Sequence, residues 1–209
     1  MRTILRSIRI LLFALLVTCD AVAASSERTL LVFGDSLSAA HGLRAEQGWV
    51  VQLQQRLVSQ GYGYRVVNAS VSGETTSGGR GRIDRALAQH RPAVVLLELG
   101  GNDALRGLPI RDTRANLKAM IDAARNIGSK VLLLGIRIPP NYGAAYAQSV
   151  DAMYVALAAE NKVPLVPFIL EGFALDPRYM QEDGIHPNAA GQPKVLENVW
   201  PALMRLLEH

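Results

Sequence analysis

Five short runs of unbroken apolar residues, each ending in a polar or glycine-rich break, constrain this chain more than any other feature. They are "TLLVF" from Thr29, "YRVVNA" from Tyr64, "AVVLLEL" from Ala93, "KVLLLGI" from Lys130 and "VPLVPFI" from Val163. A strand with one wet face alternates apolar and polar residues, whereas one covered on both faces is apolar throughout, as in parallel sheets. The stretches between the runs have helical period. Val50, Leu53 and Leu57 share one face, as do Leu117, Met120, Ile121 and Ala124, and Gly61 and Gly128 stand where helix ends need a positive φ. Repeated βα units of this length predict an α/β fold, a three-layer α/β/α sandwich around a central parallel sheet of about five strands, with right-handed crossovers and a flavodoxin-like strand order. The segment after His186 reads as a C-terminal helix with Asn188 near its start, beginning late or kinked because Pro193 and Pro201 each lack a backbone donor.

The first 24 residues stand apart. Arg2, Arg6 and Arg9 precede the apolar run Ile10 to Val17, and "AVAA" follows, which is the pattern of a secretory signal peptide over residues 1–24. The run is too short to span a bilayer comfortably, so no stable membrane span is expected, although a retained anchor is the alternative. "LVTC" ending at Cys19 also loosely resembles a lipoprotein cleavage box, which leaves lipidation of Cys19 open. Cleavage after Ala23 or Ala24 would remove the chain's only cysteine, and with it any disulfide or thiol chemistry. It would also remove three arginines and one aspartate, lowering the net charge from +4 to +2. That is no footprint for nucleic acid. The arginine-rich "GGRGRIDR" reads as a solvated helix start rather than an anion site. The remainder, residues 25–209, has no internal repeat and no long linker and is expected to form a single domain, as a monomer.

In sheets of this class ligands bind beyond the carboxyl ends of the strands, where the strand order reverses. The breaks after the apolar runs are therefore the candidate site: "GDS", "NASVSGET", "GGND", "RIPPNYG", and "DGIHP" before the last helix. Ser36 alone could be a turn residue, a helix cap or a nucleophile leading into a helix. A nucleophilic serine needs a base, and the base needs an acceptor on its other ring nitrogen. Of the four histidines, His209 is terminal, His90 ends a surface helix and His41 has no carboxylate beside it. His186 follows Asp183 across a tight turn that Gly184 lets bend and Pro187 biases towards an extended backbone. Donors for a developing oxyanion are available at Gly73, where backbone can approach closely, and in the side chain of Asn102.

"GDSLS", the glycine after "NASVS", "GGND" and "DGIHP" match in order the signature blocks of the GDSL, or SGNH, hydrolases, and the resemblance covers nearly the whole chain from Thr29. More narrowly, "GNDALRGL", "IRIPPNYG" and "MQEDGIHPN" look like the bacterial multifunctional thioesterase, arylesterase and lysophospholipase group, which is periplasmic. The resemblance implies Ser36 as nucleophile, His186 as base, Asp183 as its orienter, and an oxyanion hole of the Ser36 N–H, the Gly73 N–H and Asn102.

Cleavage of esters and thioesters through an acyl-enzyme is the expected function, with a small-molecule or lipid acyl substrate. Leu105, Leu108, Pro109, Ile138, Pro139 and Tyr142 follow the third and fourth strands and are candidates for an acyl groove. A carbohydrate O-acetyl esterase, or a non-catalytic binding module on the same fold, is the alternative. The G-x-S-x-G elbow of the α/β-hydrolases is missing, since Ser38 stands where its last glycine would be. No G-x-G-x-x-G follows a strand and no P-loop is present, so no cofactor is expected; four scattered histidines predict no metal site.

Overall fold

A computed structural model describes residues 28–208. Strands β1 (Arg28–Gly34), β2 (Tyr64–Asn68), β3 (Val94–Glu98), β4 (Lys130–Leu134) and β5 (Leu165–Val166) form one sheet in the order β2-β1-β3-β4-β5. Every pairing is parallel. The flavodoxin-like order expected from the sequence is thus the order found. The helices are α1 (Trp49–Ser59), α2 (Thr76–His90), α3 (Gly101–Leu105), α4 (Ile110–Asn126), α5 (Ala144–Asn161) and α6 (Gln192–Met204).

The apolar runs are continuous because both faces of the sheet are covered. Leu30 and Val32 of β1 join one core with Leu53 and Leu57 of α1 and Val195 and Val199 of α6. Their neighbours Leu31 and Phe33 join the other, with Ile83 of α2, Leu117 and Met120 of α4 and Leu157 of α5. All four β1 residues have no exposed surface. Burying each such side chain contributes about 1.5–3 kcal/mol before the entropy cost of ordering it. Gly61 and Gly128 have φ of 77° and 85° and end α1 and α4, as their positions predicted.

Two expectations are corrected. The chain after Ser36 forms successive turns rather than a helix, with the Ala39 N–H bonded to the Asp35 carbonyl and the His41 N–H to that of Ser36. Regular helix resumes only at Trp49, whose backbone N–H is held by the Gln192 side chain at 2.9 Å. The fifth apolar run contributes only two residues to the sheet, because β5 is an edge strand and the chain leaves it at Pro167. The last helix starts late, as its prolines required, and Asn188 stands shortly before it, as expected. Its Oδ1 accepts the N–H groups of Ala190 and Gly191, while its Nδ2 donates to the carbonyls of Arg178 and Met180. Asn188 therefore ties the loop before α6 to the loop after β5. Pro193 lies in the first turn of α6, where its missing donor costs nothing, and Pro201 lies inside the helix close to its end. Among the described residues no helix is long and apolar enough to cross a membrane.

Candidate active site

The chain departs from β1 to β2 on one side and continues with β3 on the other, so the strand order reverses between β1 and β3. A crevice opens beyond the carboxyl ends of these two strands. Ser36 leaves β1 into it and Asn102 stands in the short helix α3 after β3. Gly34 must be a glycine, since a Cβ there would fall 2.5 Å from Oε2 of Glu98 on the paired strand.

His186 arrives from 150 residues further along the chain, and its Nε2 lies 2.8 Å from Ser36 Oγ. The other ring nitrogen, Nδ1, is 2.6 Å from Asp183 Oδ2. Asp183 can orient the ring because its own turn is closed. Its Oδ1 accepts the N–H groups of Ile185 at 2.9 Å and His186 at 3.0 Å, and Gly184 between them has φ 66°. A bridge between Met180 and Pro187 fastens the base of this loop. Partial burial raises the Asp183 carboxyl. The His186 N–H, the imidazole and the Ile185 N–H outweigh that, bringing it down to about 2. Asp183 is therefore an anion throughout the neutral range and stands as an acceptor against Nδ1.

The loop after β2 brings Gly73 to the same crevice with φ 78°, a backbone that only glycine adopts readily, and no atom closer than 3.9 Å to where a Cβ would stand. Asn102 Nδ2 donates to Asp35 Oδ2 and to the Glu74 carbonyl, at 3.0 Å each. Asp35 in turn is one of a buried carboxyl pair. Glu98 Oε2 accepts the Asp35 N–H at 3.2 Å and the Ser38 hydroxyl at 2.8 Å, and Glu98 Oε1 is buried with no protein partner. Burial raises Asp35 to about 6, against the lowering effect of the Leu37 N–H, Glu98, His186 and Asn102. Burial, followed by the charge of Asp35, raises Glu98 well above the usual carboxylate range.

These groups open into a cleft of about 1090 Å³. Leu105, Ile138 and Pro139 line it as expected, but Leu108, Pro109 and Tyr142 do not. Helix α3 stops at Leu105 and the chain turns at Gly107, which leaves Leu108 37% exposed and Pro109 as the residue preceding α4. Tyr142 sits in a single 3₁₀ turn and is 43% exposed. Much of the apolar wall comes from Phe168, which ends the fifth apolar run, and from Leu170, Phe173 and Leu175 beyond it, none of which was expected at the site. The signal was an apolar run too long for its strand. His41 was also passed over. It lines the cleft and its ring lies 4.5 Å from that of His186, centroid to centroid. Among the described residues no group of three or more His, Cys, Asp or Glu side chains is arranged to hold a metal ion.

Residues 32–193 match the GDSL-like lipase/acylhydrolase family. Esterase TesA of Pseudomonas aeruginosa is 54% identical over 183 residues, covering 88% of this chain and 91% of that protein. Thioesterase 1/protease 1/lysophospholipase L1 of Escherichia coli K12 is 41% identical over 198 residues, covering 95% and 92%. A crystal structure of TesA superposes with a TM-score of 0.85 at 55% identity, over 86% of this chain and all of that one. The chain belongs to the GDSL-like lipase/acylhydrolase family.

The carboxyl pair sets a pH dependence of stability. Unfolded, both acids ionise near pH 4; folded, they hold protons to higher pH. The native state then binds more protons than the unfolded state above pH 4, so this pair's contribution to stability falls as pH rises through about 6. Glu98→Gln removes one ionisation, and the difference in Tm between variant and wild type grows in the variant's favour from pH 4 to pH 7. A Tm difference independent of pH would contradict the assignment.

Proposed function

We propose that this member of the family, an ester hydrolase of the GDSL type, works by two-step acyl transfer at Ser36. Ser36 Oγ attacks the carbonyl carbon of an ester or thioester as His186 Nε2 takes its proton, and the imidazolium so formed is stabilised by the Asp183 anion. The carbonyl oxygen becomes an oxyanion that accepts from the N–H groups of Ser36 and Gly73 and from Asn102 Nδ2. Both Asn102 hydrogens already have acceptors, one a carboxyl and one the neutral Glu74 carbonyl. A full negative charge outcompetes a neutral carbonyl, so the oxyanion takes the hydrogen shared with Glu74. Collapse of the intermediate expels the leaving group, with His186 protonating it where needed. Water, activated by the same imidazole, then releases the acid from Ser36.

The observation that carries this reading is the relay Asp183 Oδ2, His186 Nδ1, His186 Nε2, Ser36 Oγ, with gaps of 2.6 and 2.8 Å, ending in an apolar cleft. A thiol has a pKa of about 8.5 and leaves readily as thiolate, whereas an alkoxide or amine needs its proton from His186. Thioesters and aryl esters are therefore good substrates and peptides poor ones. The apolar wall suits a medium or long acyl chain, as in a fatty acyl thioester or a lysophospholipid, better than an acetylated sugar. We assign residues 1–24 as the secretory leader, which puts the single domain 25–209 in the periplasm.

Two outcomes are expected. With p-nitrophenyl esters from acetate to palmitate, kcat/KM rises to a maximum at medium or long chains and vanishes in Ser36→Ala. Activity confined to acetate would favour the deacetylase reading, and none at all a binding module. Asn102→Ala lowers kcat by roughly 10² to 10³, the usual cost of losing one oxyanion donor; an unchanged kcat would remove Asn102 from the hole.

A further inference from the structure

The arginine-rich start of α2 has a purpose other than solvation. Arg82 turns inward, its side chain 28% exposed, and places Cζ over the Phe33 ring, 3.9 Å from the centroid. Its Nε donates to Glu74 Oε2 at 2.6 Å and its Nη1 to the Ala69 carbonyl at 2.7 Å. Ala69 opens the loop that carries Gly73, and Glu74 stands next to its last residue, Thr75, the N-cap of α2. One planar guanidinium thus bridges residues 69 and 74 of that loop.

Glu74 contributes at two levels. Its carboxylate is the anion that Arg82 binds, and its carbonyl is an acceptor for Asn102 Nδ2 at 3.0 Å. The residue beside it is Gly73. Both proposed oxyanion donors outside Ser36 therefore adjoin Glu74; they also meet Asp35, which takes the other Asn102 hydrogen, and Arg106, whose Nη2 donates to the Gly73 carbonyl at 3.1 Å. The "GG" of the same stretch fits this reading, because a Cβ at Gly78 would stand 2.0 Å from Glu74 Oε1 and displace the carboxylate. The remaining guanidinium nitrogen, Nη2, is buried with no hydrogen-bond partner. A half-buried cation with an unsatisfied donor is a poor device for stability alone, and it holds its place through the carboxylate and the ring face.

We infer that Arg82 is a positioning residue for the oxyanion hole, a clip across residues 69–74 that sets the Gly73 N–H and, through the Glu74 carbonyl, the Asn102 amide. The inference rests on the reading of Gly73 and Asn102 as oxyanion donors. Such donors stabilise the transition state and not the bound ester, so their displacement lowers kcat and leaves KM alone. A shift of about 1 Å suffices to cost up to about 10²-fold.

The test is steady-state hydrolysis of p-nitrophenyl butyrate by Arg82→Ala and Arg82→Lys, each also in an Asn102→Ala background. Lysine keeps the charge but cannot bond both loop ends in one plane, and it serves as the second variant should alanine fail to fold. Expected are a fall in kcat of roughly 10- to 100-fold with KM changed less than about twofold, and a clearly smaller fall once Asn102 is already alanine. Partial recovery of kcat in Arg82→Ala on adding tens of millimolar guanidinium, well below denaturing concentration, is the accompanying sign. An unchanged kcat, a loss carried by KM, or a full and additive loss in the Asn102→Ala background would overturn the clip while leaving the oxyanion hole intact. If Asn102→Ala itself leaves kcat unchanged, the hole is misassigned and the inference falls with it.

Discussion

Strand β1 is hydrogen-bonded on both sides, to β2 and to β3, so the chain adds its second strand on one side and its third on the other. Everything at the site follows from that reversal. Loops that leave two neighbouring strands towards opposite faces cannot close over the gap between them, so the carboxyl ends of β1 and β3 face a crevice. The reversal brings Ser36 and Asn102, 66 positions apart in the chain, to one crevice. The same register sets Gly34 opposite Glu98, and the missing side chain at Gly34 is what lets the Glu98 carboxyl reach back to the Asp35 N–H and the Ser38 hydroxyl.

Three carboxyl groups close to this crevice take three different protonation behaviours from their surroundings. Asp183 accepts two backbone N–H groups and an imidazole and is held down to about 2. Asp35 has a backbone N–H and an amide, but it is buried and rises to about 6. Glu98 is fully buried, with Oε1 without a protein partner, and burial followed by the charge of Asp35 raises it well above the usual carboxylate range. Identical chemistry therefore supplies a permanent anion beside His186 and a protonatable pair beside Ser36. The gradient follows hydrogen bonding and desolvation rather than sequence position.

The layer architecture and strand order were legible because both depend on short-range pattern. Runs that are apolar on both faces fit only strands covered on both faces, and β1 to β4 fall where those runs lie. The residues after each run could be read as site candidates because the topology leaves only one edge for a ligand. Less legible was anything decided by side-chain reach. Leu108 and Tyr142 follow the right strands but are carried outwards by a turn at Gly107 and by a 3₁₀ turn, whereas Phe168, Leu170 and Phe173 reach the cleft from the segment that follows an edge strand only two residues long. His41 was set aside for want of a carboxylate, yet its contact is with the ring of His186, a pairing across 145 residues that no local pattern encodes. Arg82 looked solvated because charged residues near a helix start usually are, and its inward turn depends on Glu74 and on the glycine at position 78.

The central claim is that Ser36 is the nucleophile and that the imidazole of His186 activates it. The most direct measurement is covalent trapping with diethyl p-nitrophenyl phosphate, followed by intact-mass and peptide mass spectrometry of wild type and His186→Gln. The account predicts one diethylphosphoryl group per chain, on the peptide containing Ser36, with labelling slowed by roughly 10² or more when the base is removed. A label elsewhere, or labelling of Ser36 at the same rate without His186, would contradict it.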